Sequence, residues 1–345
     1  MFDFSNLFAK RRTESAVFVD VGAGSVAGGY ASYPEQGEPI LTYAKRIPIE
    51  LRLHEAHEDG MIRALGQLGS LLITEGAPAH ARVTGSGHLD SILVSVSAPW
   101  QKTSMHLERF ENEKPFVFTK KMLAQATRTA GDAPKDMLVV DESVIAVSLN
   151  GYETHEPVGK RAHRATVVVL TSLIDDHVAR RIAGALKQLF HTERILSIAG
   201  SSLRYQALKQ VFPHERDVLI IDASGPEISI ALERKGLLSA VSELKDGESG
   251  SPKWVQEVAS VFEDLSRRFP LPRTIFLLSE KEKTEKLKKL LEGADLGRFW
   301  LSEDPPKVVP VVSGNVTGLR SGSEAVPDLP LLLMTLFWQR HRSDS

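Results

Sequence analysis

Two stretches about two hundred residues apart each end an apolar strand on an aspartate and run directly into a glycine-containing turn. They are Val17-Phe18-Val19-Asp20-Val21-Gly22-Ala23-Gly24-Ser25 and Val218-Leu219-Ile220-Ile221-Asp222-Ala223-Ser224-Gly225. Each opens the same plan. Residues 15–21, 25–33 and 40–47 read as a three-stranded antiparallel meander broken by the turn-rich Pro34-Glu35-Gln36-Gly37, and 218–221, 227–233 and 237–244 repeat it. Duplication of half a fold is the simplest account of the repeat, and it demands two lobes.

Helices follow each meander. Met61, Leu65, Leu68, Leu71 and Leu72 recur at helical spacing within 59–74. The second copy is followed by helical patterns at 253–269 and 280–292 with a strand at 273–278 between them. Residues 81–85 read as a short strand. Between the meanders, 92–97, 104–110, 137–149 and 164–170 read as strands around a helix at 119–129, an inserted α+β unit. An amphipathic helix at 175–190, a strand at 194–198 and a helix at 203–211 return the chain to the first lobe. The expected organisation is therefore a first lobe over 13–89, a small insert over 90–172, completion of the first lobe over 173–214, and a reduced second lobe over 215–345.

Composition narrows the function. The 345-residue chain is 42% hydrophobic and 25% charged, the balance of a globular protein, and its net charge of −2 offers no general attraction for nucleic acid. Without cysteine there are no disulfides, thiolate metal sites or cysteine nucleophiles. Residues 1–12 carry Phe2, Phe4, Leu7 and Phe8 before Lys10, Arg11 and Arg12, the reverse of a secretory signal, and read as a surface tuck or a weak peripheral anchor. The apolar run 329–338 is about half a membrane-spanning length and reads as a buried closing helix.

Other motifs are weaker. Gly22-x-Gly24-x-x-Ala27 formally matches a dinucleotide fingerprint, but strand rather than helix follows it. His54-Glu55-Ala56-His57 lacks the spacing and third ligand of a zinc protease and reads as a solvated helix start. No Gly-x-Ser-x-Gly elbow is present, and the other histidines lie in polar stretches.

The insert carries Ala98-Pro99-Trp100, Glu113-Lys114-Pro115-Phe116, Leu149-Asn150-Gly151-Tyr152 and Glu156-Pro157-Val158-Gly159. Together with the two aspartate turns, this series resembles the FtsA/PilM family of the actin-like ATPase superfamily. The resemblance implies a two-lobed α/β architecture of ribonuclease H-like type with a small inserted α+β domain. It also implies ATP and Mg²⁺ between the lobes, with Asp20, Gly22, Gly24, Ser25, Asp222, Ser224 and Gly225 toward the nucleotide and Asp20 and Asp222 toward the metal. Glycine lets a backbone approach phosphate, and a nearby carboxylate holds Mg²⁺ through water. Trp100, Phe116 and Phe118 either pack the insert or form a partner-binding edge, and Trp100, Phe116 and Tyr152 are the residues the resemblance would place toward a partner.

Several features depart from that pattern. The second turn continues Asp222-Ala223-Ser224-Gly225-Pro226-Glu227, losing a backbone donor and adding a negative charge. Phe276-Leu277-Leu278-Ser279-Glu280-Lys281 stands where relatives place a Gly-Gly turn for adenosine. Ile198-Ala199-Gly200-Ser201-Ser202 offers only small hydroxyls where an attacking water would be positioned, and the short span 245–252 replaces a helical subdomain. The expected role is a cytoplasmic, PilM-like scaffold of type IV pilus assembly at the inner face of the membrane. Such a scaffold binds the cytoplasmic tail of a membrane pilus-assembly protein, with weak or absent ATP binding. The alternatives are an FtsA-like protein that polymerises and ties a tubulin-like division protein to the membrane, with 329–338 as its anchor, or an ATPase or sugar-kinase relative working through Asp20, Asp222 and Mg²⁺.

Overall fold

The computed structural model describes residues 13–130, 134–154, 156–225, 227–244, 250–300 and 304–341. The expectations for residues 1–12, Pro226 and 245–249 lie outside them. The chain opens with the meander β1 (Glu14–Val21), β2 (Ser25–Tyr33) and β3 (Ile40–Pro48), antiparallel throughout. Helix α1 (His57–Leu71) follows and runs through a π-helical stretch (Leu72–Gly76) into α2 (Ala77–Thr84). The strand expected at 81–85 is therefore a helix. Pro78 sits in its first turn and Gly85, at φ 77°, ends it, two signals stronger than the β propensity of Val83 and Thr84.

Strand β4 (Ser91–Val96) is buried along its whole length and pairs in parallel with β1. It therefore belongs to the first-lobe sheet, and the insert begins after it rather than at residue 90. The insert consists of β5 (Gln101–Val117), α3 (Lys120–Ala130), β6 (Met137–Leu149), β7 (Tyr152–Glu153) and β8 (Arg161–Asp175), ordered β5-β8-β6-β7 with α3 on one face. Helix α4 (Asp176–Phe190) is capped by the Asp175 carboxylate, which accepts from the Val178 amide. Then β9 (Ile195–Ala199) extends the first sheet beside β4, and α5 (Gly200–Val211) crosses to the second lobe.

The second meander is β10 (Val218–Ala223), β11 (Ile228–Arg234) and β12 (Leu237–Leu244). Helix α6 (Pro252–Ser266), β13 (Thr274–Ser279), α7 (Lys281–Glu292) and β14 (Lys307–Val311) complete a five-stranded sheet ordered β12-β11-β10-β13-β14. In both lobes the aspartate-bearing strand runs parallel to its outer neighbour and antiparallel to its meander partner.

The chain then leaves the second lobe. Strand β15 (Arg320–Ala325) pairs in parallel with β3 at the edge of the first sheet, and α8 (Leu329–His341) packs between the lobes. The expectation that 215–345 forms one lobe misses this return, because Arg-Ser-Gly-Ser-Glu-Ala has no strand pattern and its pairing partner lies at residues 40–44. From Leu331 to Trp338, helix α8 is apolar on every side apart from the buried Thr335, which fits a segment with no water-facing side, and only its last turn, with Gln339 and Arg340, is exposed. Leu331 through Trp338 are buried, Tyr33 donates its hydroxyl to the Thr335 carbonyl at 2.9 Å, and Trp338 Nε1 donates to Glu14 at 3.1 Å.

Candidate functional site

The two aspartate turns face each other across the interlobe seam. Asp20 is 2% exposed near the end of β1, and Asp222 occupies the matching place in β10. Between them stands Arg204 of α5. Its Nη2 lies 3.5 Å from Asp20 Oδ1, its Nε lies 2.9 Å from Asp222 Oδ2, and its Nη1 donates to Ser97 Oγ at 2.9 Å. Helix α5 can bring this guanidinium in because residue 200 is glycine: a Cβ there would sit 2.2 Å from Ser97 Oγ and 2.7 Å from Arg204 Nη1.

A second cation flanks Asp20. Arg46 Nη2 lies 3.1 Å from Asp20 Oδ2, Arg46 Nη1 donates to Ser25 Oγ at 2.8 Å, and Nε and Nη2 grip Asp328 at 2.7 and 3.0 Å. Burial opposes charge on Arg46, but the hydrogen bonds and fields of Asp328 and Asp20 outweigh it and raise its pKa. Asp328 also accepts from the Leu331 amide at 3.2 Å at the start of α8. A ladder of alternating charge thus runs Asp328, Arg46, Asp20, Arg204, Asp222. Ser224 closes it, donating its amide (3.1 Å) and its hydroxyl to Asp222 Oδ1.

One donor and two acceptors of the first turn are committed. The Gly22 amide donates to the Ser25 carbonyl at 3.0 Å, and the Gly24 carbonyl accepts from Ile49 at 2.9 Å. His57 Nε2 lies 2.6 Å from the Ala23 carbonyl. A Cβ at Gly22 or Gly225 would meet only ordinary contacts, at 3.6 and 3.9 Å. A divalent ion held through water by Asp20 and Asp222 is what the family resemblance implies, but a guanidinium spans the same pair of carboxylates. With Arg204 in this place the pair is held by opposite charge and does not fit that ion, while Asp20 Oδ1 accepts no hydrogen bond. Among the described residues, no group of three or more His, Asp or Glu side chains gathers as a metal site.

Sequence reasoning missed Arg204, Arg46, Asp328 and Gln101. Gln101, 2% exposed at the start of β5, accepts from the Ser201 amide at 3.0 Å and donates to Ser201 Oγ at 2.7 Å and to Glu243 of β12 at 3.3 Å. It supplies an amide at the β9–α5 link, where the sequence shows only hydroxyls. Its one signal is position, directly after the Ala98-Pro99-Trp100 series.

The three aromatic residues diverge. Trp100 is 8% exposed in the first-lobe core with its ring 5.0 Å from that of His57, so it packs and cannot form a partner edge. Phe116 is half-buried against the insert core, while Tyr152, 81% exposed at the β6–β7 turn, does present its ring to solvent. His80 corrects the reading of the histidines as residues of polar stretches, since it is fully buried between Thr42 Oγ1 (3.0 Å) and Ser15 Oγ (2.8 Å).

Two sheets of matching plan, an insert between β4 and α4 and a seam bordered by paired aspartates define an actin-like ATPase fold. A chain of a PilM-PilN type IV pilus biogenesis complex is similar to this one with a TM-score of 0.61 and 13% identity, covering 94% of this chain and 98% of that one. A Bacteroides thetaiotaomicron protein with an actin-like ATPase fold and unknown function gives 0.49 and 8%, covering 97% and 98%. The cytoplasmic domain of EpsL, an inner membrane component of the type II secretion system of Vibrio cholerae, gives 0.42 and 12%, covering 96% of each chain. No family model and no curated protein sequence matches.

Proposed function

We propose that the protein is a PilM-like scaffold that binds the cytoplasmic tail of a membrane-embedded assembly component and has little or no affinity for ATP. The observation that carries this reading is Arg204 between Asp20 and Asp222, a resident cation in the place a metal-nucleotide would need. The similarity in fold to a chain of the PilM-PilN complex supports the choice of role. Burial of α8 between the lobes argues against its use as a membrane anchor, and no described helix is long and apolar enough to cross a membrane. Tyr152, on the exposed β6–β7 turn, is the aromatic residue of the insert placed to meet a partner.

Thermal unfolding with and without Mg-ATP tests the reading. A ligand at about a hundredfold its dissociation constant adds roughly 2.7 kcal/mol, a shift of several degrees. The expected result is no shift, with a synthetic peptide of the cytoplasmic tail of a pilus-assembly membrane protein binding equally with and without nucleotide. An Mg-ATP shift that Asp20→Asn removes would overturn the nucleotide half, and absence of peptide binding would overturn the scaffold half.

A further inference from the structure

Farther along α5, away from the aspartate ladder, the helix, the segment 212–217 and the β11–β12 turn border a half-open cavity of about 130 Å³. Its wall includes Lys209, Glu215, Arg216, Glu233, Lys235 and Gly236. Glu233 is the anomaly: it is 2% exposed, and its Oε1 has no hydrogen-bond partner. A buried carboxyl oxygen left this way is costly unless something that enters the cavity satisfies it.

Lys209, Arg216 and Lys235 bring donors to the wall, and Glu215 is a second carboxylate in it. Lys209 Nζ gives one proton to the Gly236 carbonyl at 2.6 Å and one to Tyr205 Oη at 3.3 Å, leaving the third. Arg216 Nη2 donates to the Lys235 carbonyl at 3.1 Å, one of five donors on its fork. The outer charges are engaged elsewhere: Lys235 Nζ lies 2.9 Å from Glu153 of β7, and Lys307 Nζ lies 3.8 Å from Glu215. What faces inward is therefore two cationic donors opposite one unsatisfied acceptor. At about 30 Å³ per water the space holds roughly four waters, or one central atom carrying four oxygens.

We propose that this cavity binds a small tetrahedral oxyanion that carries a proton, namely hydrogenphosphate or the singly protonated phosphoryl end of a phosphomonoester. The anion's oxygens accept from Lys209 and Arg216, and its P–OH donates to Glu233 Oε1. Sulfate has the same shape and no proton at neutral pH, so an ionised Glu233 repels it. The groups that set the charge of Glu233 are Tyr205 and Lys209 from α5, Glu215, Arg216 and Asp217 from the segment before β10, and Lys235 from its own hairpin. Burial pushes the Glu233 carboxyl up to about 7, with Lys209 lowering it, Asp217 raising it and Arg216 lowering it. Above pH 7 Glu233 therefore selects for an anion with a proton to give, and below it the neutral carboxyl can itself donate to either anion.

Calorimetric titration of the full chain with inorganic phosphate and with sulfate, at pH 8 and pH 6, reads this directly. We expect phosphate to bind at least about tenfold more tightly than sulfate at pH 8, the size of one good hydrogen bond to a charged group, and the gap to narrow at pH 6. Glu233→Gln, whose amide donates to both anions, should abolish the discrimination at pH 8. Arg216→Ala, at an exposed position, should weaken both anions and leave their ratio unchanged. Glycerol phosphate at pH 6, where about half of the ester still carries a P–OH because its second pKa lies near 6, separates the sources: binding as tight as that of free phosphate admits esters, and much weaker binding restricts the site to the free ion. No phosphate binding at millimolar concentration, or a phosphate-to-sulfate ratio unchanged in Glu233→Gln, overturns the proposal. Neither outcome touches the aspartate seam.

Discussion

At the residue scale, two buried ionisable groups set opposing pH dependences. Burial holds His80 down to about 4, with Asp90 pulling the other way, against about 6.5 in an unfolded chain. Because the unfolded chain binds the extra proton between those values, His80 adds stability as pH rises from about 4 to 6.5. Glu233 does the reverse, since its folded value near 7 exceeds the ordinary 4.5 and stability is lost as pH rises through that window. Each is worth about 3 kcal/mol across its window, and between pH 4.5 and 6.5 the two slopes largely cancel. We predict that Glu233→Gln raises stability by about 3 kcal/mol at pH 8 and much less at pH 5, measured as urea midpoints in phosphate-free buffer. A gain equal at both pH values would mean that Glu233 is ionised in the folded state throughout. The aspartates of the seam were legible in the sequence because each sits near the end of an apolar run, whereas a lone arginine on an amphipathic helix looks like any solvated cation. Only the convergence of positions 20, 46, 204, 222 and 328 gives Arg204 and Arg46 their meaning.

At the scale of elements, the meanders were readable because alternation and buried runs are local signals, while β15 and the membership of β4 were not, because both are decided by a partner strand elsewhere in the chain. Glycines show the same divide. Gly29 in β2 reads as a weak strand residue, yet a Cβ there would lie 2.5 Å from the Tyr43 carbonyl oxygen on the paired strand β3. Gly66 in α1 has nothing within 4 Å of the corresponding position. Gly29→Ala should therefore cost about 1–3 kcal/mol, because backbone rather than a flexible side chain must yield. Gly66→Ala should add about 0.5–1 kcal/mol by removing a helix-interior glycine. Urea unfolding of the two variants distinguishes these signs, and destabilisation by both would show that α1 does not have the open face at Gly66 described above.

At the scale of the whole molecule, the lobes are joined by one apolar cluster that takes residues from both sheets, α5 and α8, and by the charge ladder along its edge. A nucleotide-driven member of such a fold needs a seam that responds to its ligand, whereas the scaffold proposed above has the Arg204 guanidinium between its two turns. Arg204 is nearly buried, and removing one partner from a buried ion pair costs about 3–5 kcal/mol because the remaining charge stays desolvated. For Arg204→Met we expect the lower end, about 3 kcal/mol, since Arg46 still pairs with Asp20 and Ser224 still donates to Asp222. The same substitution leaves two carboxylates facing an apolar side chain, an arrangement that a divalent ion can relieve. Millimolar Mg²⁺ should therefore restore part of the stability of Arg204→Met and leave the parent protein unchanged, with Arg204→Met/Asp222→Asn losing the response. Equal Mg²⁺ effects on parent and variant would show that Arg204 does not stand in for a metal, and the seam would then have to be regarded as a site open to Mg-ATP.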